Sequence, residues 1–142
     1  MGFEFLGQKL LGDRGNKTVD VSVLDSVPVV GLYFSANWCP PCKIFTPLLA
    51  KTYSEINTGQ KQVEIVFVSA DQSEDDFKAY YSTMPWLSMQ FNVDSLGDIA
   101  DKFDVSVIPT LLILNKDGTV KFPNGKPQVE AKGSQIIEEW KH

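Results

Sequence analysis

The stretch Val29-Val30-Gly31-Leu32-Tyr33-Phe34-Ser35-Ala36-Asn37-Trp38-Cys39-Pro40-Pro41-Cys42-Lys43 decides the fold. Its first half, from residue 28 to 35, is a continuous apolar run of strand length. A run without a polar face suits a strand buried on both sides. Its second half holds two cysteines two residues apart, and a helical pattern follows over residues 40–57. There Ile44, Leu48, Leu49, Tyr53 and Ile56 provide the apolar positions, and Pro47 removes one backbone donor. A buried strand, a CxxC and a helix in that order point to a redox site.

The chemistry needs a thiolate, because the thiol itself attacks poorly. Cys39 falls at the start of the predicted helix, where unpaired N–H groups and the positive dipole end favour negative charge. Pro40 and Pro41 suit that place, since their missing N–H groups would be unpaired anyway. Cys42 lies one turn inside and is expected to be the more buried. Cys39 is therefore the expected nucleophile toward a partner's disulfide, and Cys42 the resolving thiol. Paired cysteines also bind zinc, but zinc takes about four ligands. The chain has two Cys in all and a lone His at position 142. No metal and no cofactor are expected.

Outward from this stretch, residues 8–11 and 18–21 flank the polar turn Asp13-Arg14-Gly15-Asn16 and predict an N-terminal β-hairpin. Residues 64–70 predict a second buried strand. Ser73 followed by Asp76 resembles a capping box opening a helix to about residue 82, which Met84-Pro85-Trp86 ends. Residues 97–103 predict a short helix, and 111–114 a third strand. After the turn Lys116-Asp117-Gly118, residues 119–122 pair back as a fourth. Asn124-Gly125 reads as a second tight turn. Residues 134–141 predict a last helix, capped by Ser134, with Ile136, Ile137 and Trp140 apolar. The order predicts an α/β fold, a central mixed β-sheet flanked by helices, in one domain over residues 1–142.

The chain has 142 residues, 43% hydrophobic and 22% charged, the proportions of an ordinary soluble globular protein. Its net charge of −5, with no basic patch, disfavours nucleic acid as a partner. Its apolar runs are too short to span a bilayer. Met1-Gly2-Phe3-Glu4-Phe5-Leu6 has no basic n-region and no sustained apolar core, so no signal peptide is expected. The expected compartment is the reducing cytoplasm, with the nucleus open as a second. In such a compartment a lone Cys pair is catalytic or metal-bound rather than a structural staple.

Residues 31–43, with Phe45-Thr46-Pro47, resemble the active-site stretch of tryparedoxins and nucleoredoxins, within the thioredoxin superfamily. The resemblance continues through Phe77-Lys78-Ala79-Tyr80-Tyr81-Ser82-Thr83-Met84-Pro85-Trp86-Leu87 and Val107-Ile108-Pro109-Thr110-Leu111. Together these span roughly residues 17–130 in collinear order, and residues 64–72 look especially like nucleoredoxin. The resemblance implies a thioredoxin fold and a protein-disulfide reductase, working as a monomer on oxidised protein disulfides such as those of peroxidases. The implied electron donor is a low-molecular-weight dithiol or a reductase. It also implies that Pro109 is a cis-proline, exposing the Ile108 backbone to pair with a substrate strand. The arginines that tryparedoxins carry after the final strand pair are missing, because no Arg lies beyond Arg14. The reductant stays open among trypanothione, glutathione and a flavoprotein reductase. A nucleoredoxin-type binding module, with redox state only as its switch, is the alternative.

Three further residues each have two readings. Trp38 shields the thiolate and offers a flat apolar contact, or it packs in the core. Tyr33 stands where thioredoxins proper carry a buried Asp; its phenol bonds near the thiols, or it only packs. Asp71 ends a buried strand on the side where ligands bind in α/β sheets. It is a proton acceptor for the thiols, or a solvated loop acid.

Overall fold

A computed structural model describes residues 2–142 of the chain. In chain order the elements are β1 (Lys9–Gly12), β2 (Lys17–Asp20), β3 (Val29–Ser35), α1 (Pro40–Ile56), β4 (Val63–Ser69), α2 (Glu74–Tyr81), β5 (Leu87–Ser88), α3 (Val93–Lys102), β6 (Thr110–Leu114), β7 (Val120–Phe122), α4 (Gly125–Lys132) and α5 (Ile137–Trp140). Short 3₁₀ turns cover Glu4–Leu6, Asp13–Gly15, Val21–Ser26 and Gly133–Ile136. The strands make one mixed sheet in the order β2-β1-β5-β4-β3-β6-β7. The predicted stretch is an interior strand: β3 runs parallel to β4 from Val29↔Val63 to Ser35↔Ser69, and antiparallel to β6. The predicted hairpin is β1 and β2, paired from Lys9↔Asp20 to Gly12↔Lys17.

Every residue of β3 and β4 is buried, as their apolar composition requires. Side chains alternate across a strand, so the two strands feed two cores. Val29 and Tyr33 of β3, with Ile65 and Phe67 of β4, pack under α1, α2 and the C-terminal elements, among Phe45, Tyr80 and Trp86. Val30, Leu32 and Phe34, with Val66 and Val68, pack under α3 and the N-terminal turns, against Leu96, Ile99, Phe3 and Leu24. Among the described residues no helix is long and apolar enough to cross a membrane.

Four features differ from expectation. In α1, Leu49, Tyr53 and Ile56 are buried as expected, but Ile44 is 78% exposed and Leu48 is exposed too. The buried stripe runs instead through Cys42, Phe45 and Thr46, one side of the predicted one. α3 starts at Val93, four residues early, because the Asn92 side chain caps it by accepting from Ser95 N–H; Gly97 is mid-helix. Asn124-Gly125 does not make a tight turn but opens α4. Gly125 is there for close packing: a Cβ would come within 2.8 Å of the Leu111 carbonyl oxygen. The C-terminal element begins as a 3₁₀ turn at Gly133 and becomes α5, with no side-chain cap from Ser134. Its expected apolar residues Ile136, Ile137 and Trp140 are buried.

Candidate active site

β3 and β4 end side by side, and Ala70 N–H still donates to Ser35 O at 2.9 Å. The loops that leave these two strand ends carry the site. After β3 the chain turns, with Cys39 N–H donating to Ala36 O, and enters α1. Cys39 is the helix N-cap in extended conformation, and Pro40 and Pro41 fill the first two helical positions. The Cys39 sulfur accepts the Cys42 N–H at 3.3 Å. This is the expected place at a helix start.

Cys39 and Cys42 are joined as a disulfide, their Cα atoms 5.2 Å apart. Both are buried, Cys42 completely and Cys39 to all but 4% of its surface. Their immediate surroundings are apolar: Ala36, with Ala70 and Ile108 packed against the pair. The Ile108–Pro109 bond is cis, as the resemblance implied.

Trp38 is 61% exposed, so it is not a core residue. Its indole N–H donates to Ala70 O at 3.3 Å, which lays the ring toward the end of β4. Trp38 and Ile108 line a cavity of about 320 Å³, together with Asp71, Leu96, Ala100 and Val105.

Asp71 is buried, which removes the solvated-loop reading. One carboxylate oxygen accepts Asn37 N–H at 2.8 Å and the other accepts the Ser69 hydroxyl at 2.8 Å. Burial pushes its pKa above the ordinary carboxylate value. The Asn37 N–H and the Ser69 hydroxyl oppose that shift, Asp76 adds to it, and Lys43 opposes it weakly. The carboxylate thus ties the loop that carries Trp38, through Asn37, to the end of β4, through Ser69.

Tyr33 both packs and bonds. Its ring meets Phe45 and Trp86 edge-on. Its hydroxyl lies 2.7 Å from Thr46 Oγ1 and 3.4 Å from the Cys42 carbonyl oxygen. Burial raises its pKa well above that of a free phenol, so the ring stays neutral. Three hydroxyls that sequence reasoning missed extend the contact. Thr46 donates to Cys42 O at 2.9 Å, Tyr80 OH lies 2.7 Å from Thr46 Oγ1, and Ser35 Oγ lies 2.6 Å from Tyr80 OH. One signal was present: a Thr inside a helix commonly bonds back to the carbonyl four residues before it. Tyr80 carried none, since its ring alone accounts for its place on a helix face.

A thioredoxin-like family model matches residues 28–120. This chain belongs to the thioredoxin-like family. It is 41% identical to mouse nucleoredoxin over 127 residues, which are 89% of this chain and 29% of that protein. The chain thus spans under a third of the length of that relative. It is 46% identical to the tryparedoxin of Trypanosoma brucei brucei over 89 residues, 62% of this chain and 61% of that one. The crystal structure of native tryparedoxin I from Crithidia fasciculata superposes with a TM-score of 0.85 at 32% identity, covering 94% of each chain. The fold is therefore the thioredoxin-like one that the motifs implied, with the Cys39–Cys42 pair in the active-site position.

Proposed function

We propose that this chain is a thiol-disulfide oxidoreductase that reduces disulfides in partner proteins, those of peroxidases among them. The observation that carries the reading is the place of Cys39: it caps α1, receives the Cys42 N–H and is already paired with Cys42. Once the pair is reduced, the same N–H faces a thiolate, which the helix start favours. The Cys39 thiolate attacks one sulfur of a partner's disulfide. A Cys39–partner bond forms, the partner's S–S bond breaks and one partner thiolate leaves. Cys42 then loses its proton and attacks the Cys39 sulfur. The mixed disulfide breaks, the second thiolate leaves, and two electrons have passed to the partner. A low-molecular-weight dithiol or a reductase returns them to Cys39–Cys42. Reduction of that kind belongs to a reducing compartment, the cytoplasm or nucleus.

Trp38 and the half-buried Ile108 frame the pair and supply the partner's contact surface. Asp71 supports it by holding Asn37, beside Trp38. The nucleoredoxin and tryparedoxin names of the relatives agree with this reading. Insulin reduction in the presence of a dithiol tests it. Wild type is expected to turn over, and Cys42→Ser is expected to hold partners on Cys39 as mixed disulfides identifiable by mass spectrometry. A protein with no turnover that still holds its partners when both cysteines are Ser is a binding module, and the proposal falls.

A further inference from the structure

The exchange proposed above needs Cys42 to stay in place while the disulfide opens and closes. Four buried hydroxyls, from three separate elements, converge on its backbone carbonyl: Ser35 and Tyr33 on β3, Thr46 on α1 and Tyr80 on α2. Each hydroxyl has one proton to give. Thr46 gives its proton to Cys42 O, so its oxygen is left to accept from both Tyr33 and Tyr80. Tyr80 has then spent its own proton and accepts from Ser35. Every donor in the chain is directed toward one acceptor, and all four side chains are buried. The raised pKa of Tyr33 keeps its proton in that chain.

We propose that Thr46 is the positioning residue of the resolving step. As the junction of the network, it fixes the Cys42 backbone, and so the Cys42 thiol, for attack on the Cys39 mixed disulfide. Thr46 acts through Cys42 and does not touch the reacting partner. This assignment rests on the exchange reading of Cys39 and Cys42 and adds a residue to it. Removing the hydroxyl takes a donor from the Cys42 carbonyl and leaves Tyr33 and Tyr80 aimed at a methyl group. Tyr33 then has only the Cys42 carbonyl oxygen, 3.4 Å away, and Tyr80 only Ser35 Oγ, so the turn shifts as these hydroxyls re-pair.

The test separates the two thiols by using a small aromatic disulfide, dithiobis(nitrobenzoate), on the reduced protein. Attack by Cys39 releases one coloured thiolate and leaves the other half on Cys39; closure by Cys42 releases the second. Stopped-flow absorbance follows the release, and acid-quenched mass spectrometry counts the Cys39 adduct. A misplacement of 1 Å can cost about a hundredfold, so Thr46→Val is expected to slow closure by about tenfold or more. Its first release should slow less than closure, because it loses only part of the Cys42 N–H support to the Cys39 thiolate, whereas closure needs the Cys42 thiol itself in place. Thr46→Ser keeps the hydroxyl and should restore fast closure. Tyr80→Phe removes one donor only; it should slow closure about threefold, and it carries the test where circular dichroism shows Thr46→Val unfolded. Closure at the wild-type rate in the folded variant, equal slowing of both phases, or a Thr46→Ser protein as slow as Thr46→Val overturns the assignment. A wild-type protein that never releases the second thiolate overturns instead the exchange reading on which it rests.

Discussion

Asp71 sits just past the end of β4 and is buried, and that place has a consequence for pH. Burial raises its pKa in the folded protein above the ordinary value of 3.8. The folded state therefore holds the proton to higher pH than the unfolded chain does. Below the ordinary carboxylate range both states are protonated and nothing is lost. As pH rises through the raised value, the native state must ionise a buried group, and stability falls. Asp71→Asn keeps an acceptor for Asn37 N–H and cannot ionise. We expect the stability of the oxidised wild type, relative to Asp71→Asn, to decline from about pH 4 upward and then level off. Thermal melts of both proteins from pH 3 to 8 check this. A difference that grows with pH would show that the hydrogen bonds from Asn37 and Ser69 outweigh burial. At this scale the cysteines were legible from their spacing, and the cis-proline from the family resemblance of its motif. The partners of Asp71, Tyr33 and Thr46 were not. Apart from the bond of Thr46 to Cys42 within α1, each contact joins residues on different elements or across a turn, and a hydroxyl in the sequence does not state what it faces.

Single side chains also hold whole elements. Lys116, in the turn after β6, points its ammonium group at three carbonyl oxygens near the end of the 3₁₀ turn Val21–Ser26. They belong to Leu24 at 3.2 Å, Asp25 at 2.8 Å and Val27 at 2.5 Å. The C-terminal end of a helical turn carries partial negative charge, so a cation there is favoured. Hydrogen bonds to charged groups contribute about 1.5–3 kcal/mol, less where water competes. Lys116→Met should therefore cost about 1–2 kcal/mol in urea unfolding and leave thiol exchange at its wild-type rate. An unchanged midpoint would mean that water replaces the ammonium at no cost. At the element scale, long strands and helices with a clear apolar period were legible. From the sequence α3 starts at Gly97, four residues late, and α4 is missed altogether, because Asn124-Gly125 reads as a turn. Gly97 is an ordinary helix-interior residue and Gly125 a close-packing site against Leu111, and only tertiary contact separates those uses from a turn.

For the molecule as a whole, the question is what the C-terminal segment does for a site built at the other end of the chain. The two buried central strands and the CxxC made the α/β architecture legible. They did not reveal that α4 and the tail close one of the two cores. Ile136, Ile137 and Trp140 are buried in the core that also holds Tyr33, Phe45 and Tyr80. The 3₁₀ turn of the tail packs on α1 and α4. Trp140 is fixed at both ends: its indole N–H donates to Gln128 Oε1 at 2.9 Å, and Lys121 donates to its carbonyl at 2.7 Å. Burying each large apolar side chain stabilises by roughly 1.5–3 kcal/mol, against a total stability of about 5–15 kcal/mol. Deleting residues 134–142 removes three such side chains, so it should lower the melting temperature by about ten degrees or more. The loss reaches α1 from its flank and leaves Cys39, Cys42 and the Ile108–Pro109 loop intact. The folded fraction at low temperature should still close its disulfide on dithiobis(nitrobenzoate). A milder variant, Trp140→Phe, keeps most of the buried ring and loses the bond to Gln128, so its melting point should fall between the two. A truncation that melts like wild type but no longer reduces protein disulfides would place the tail on the partner-binding surface instead of in the core.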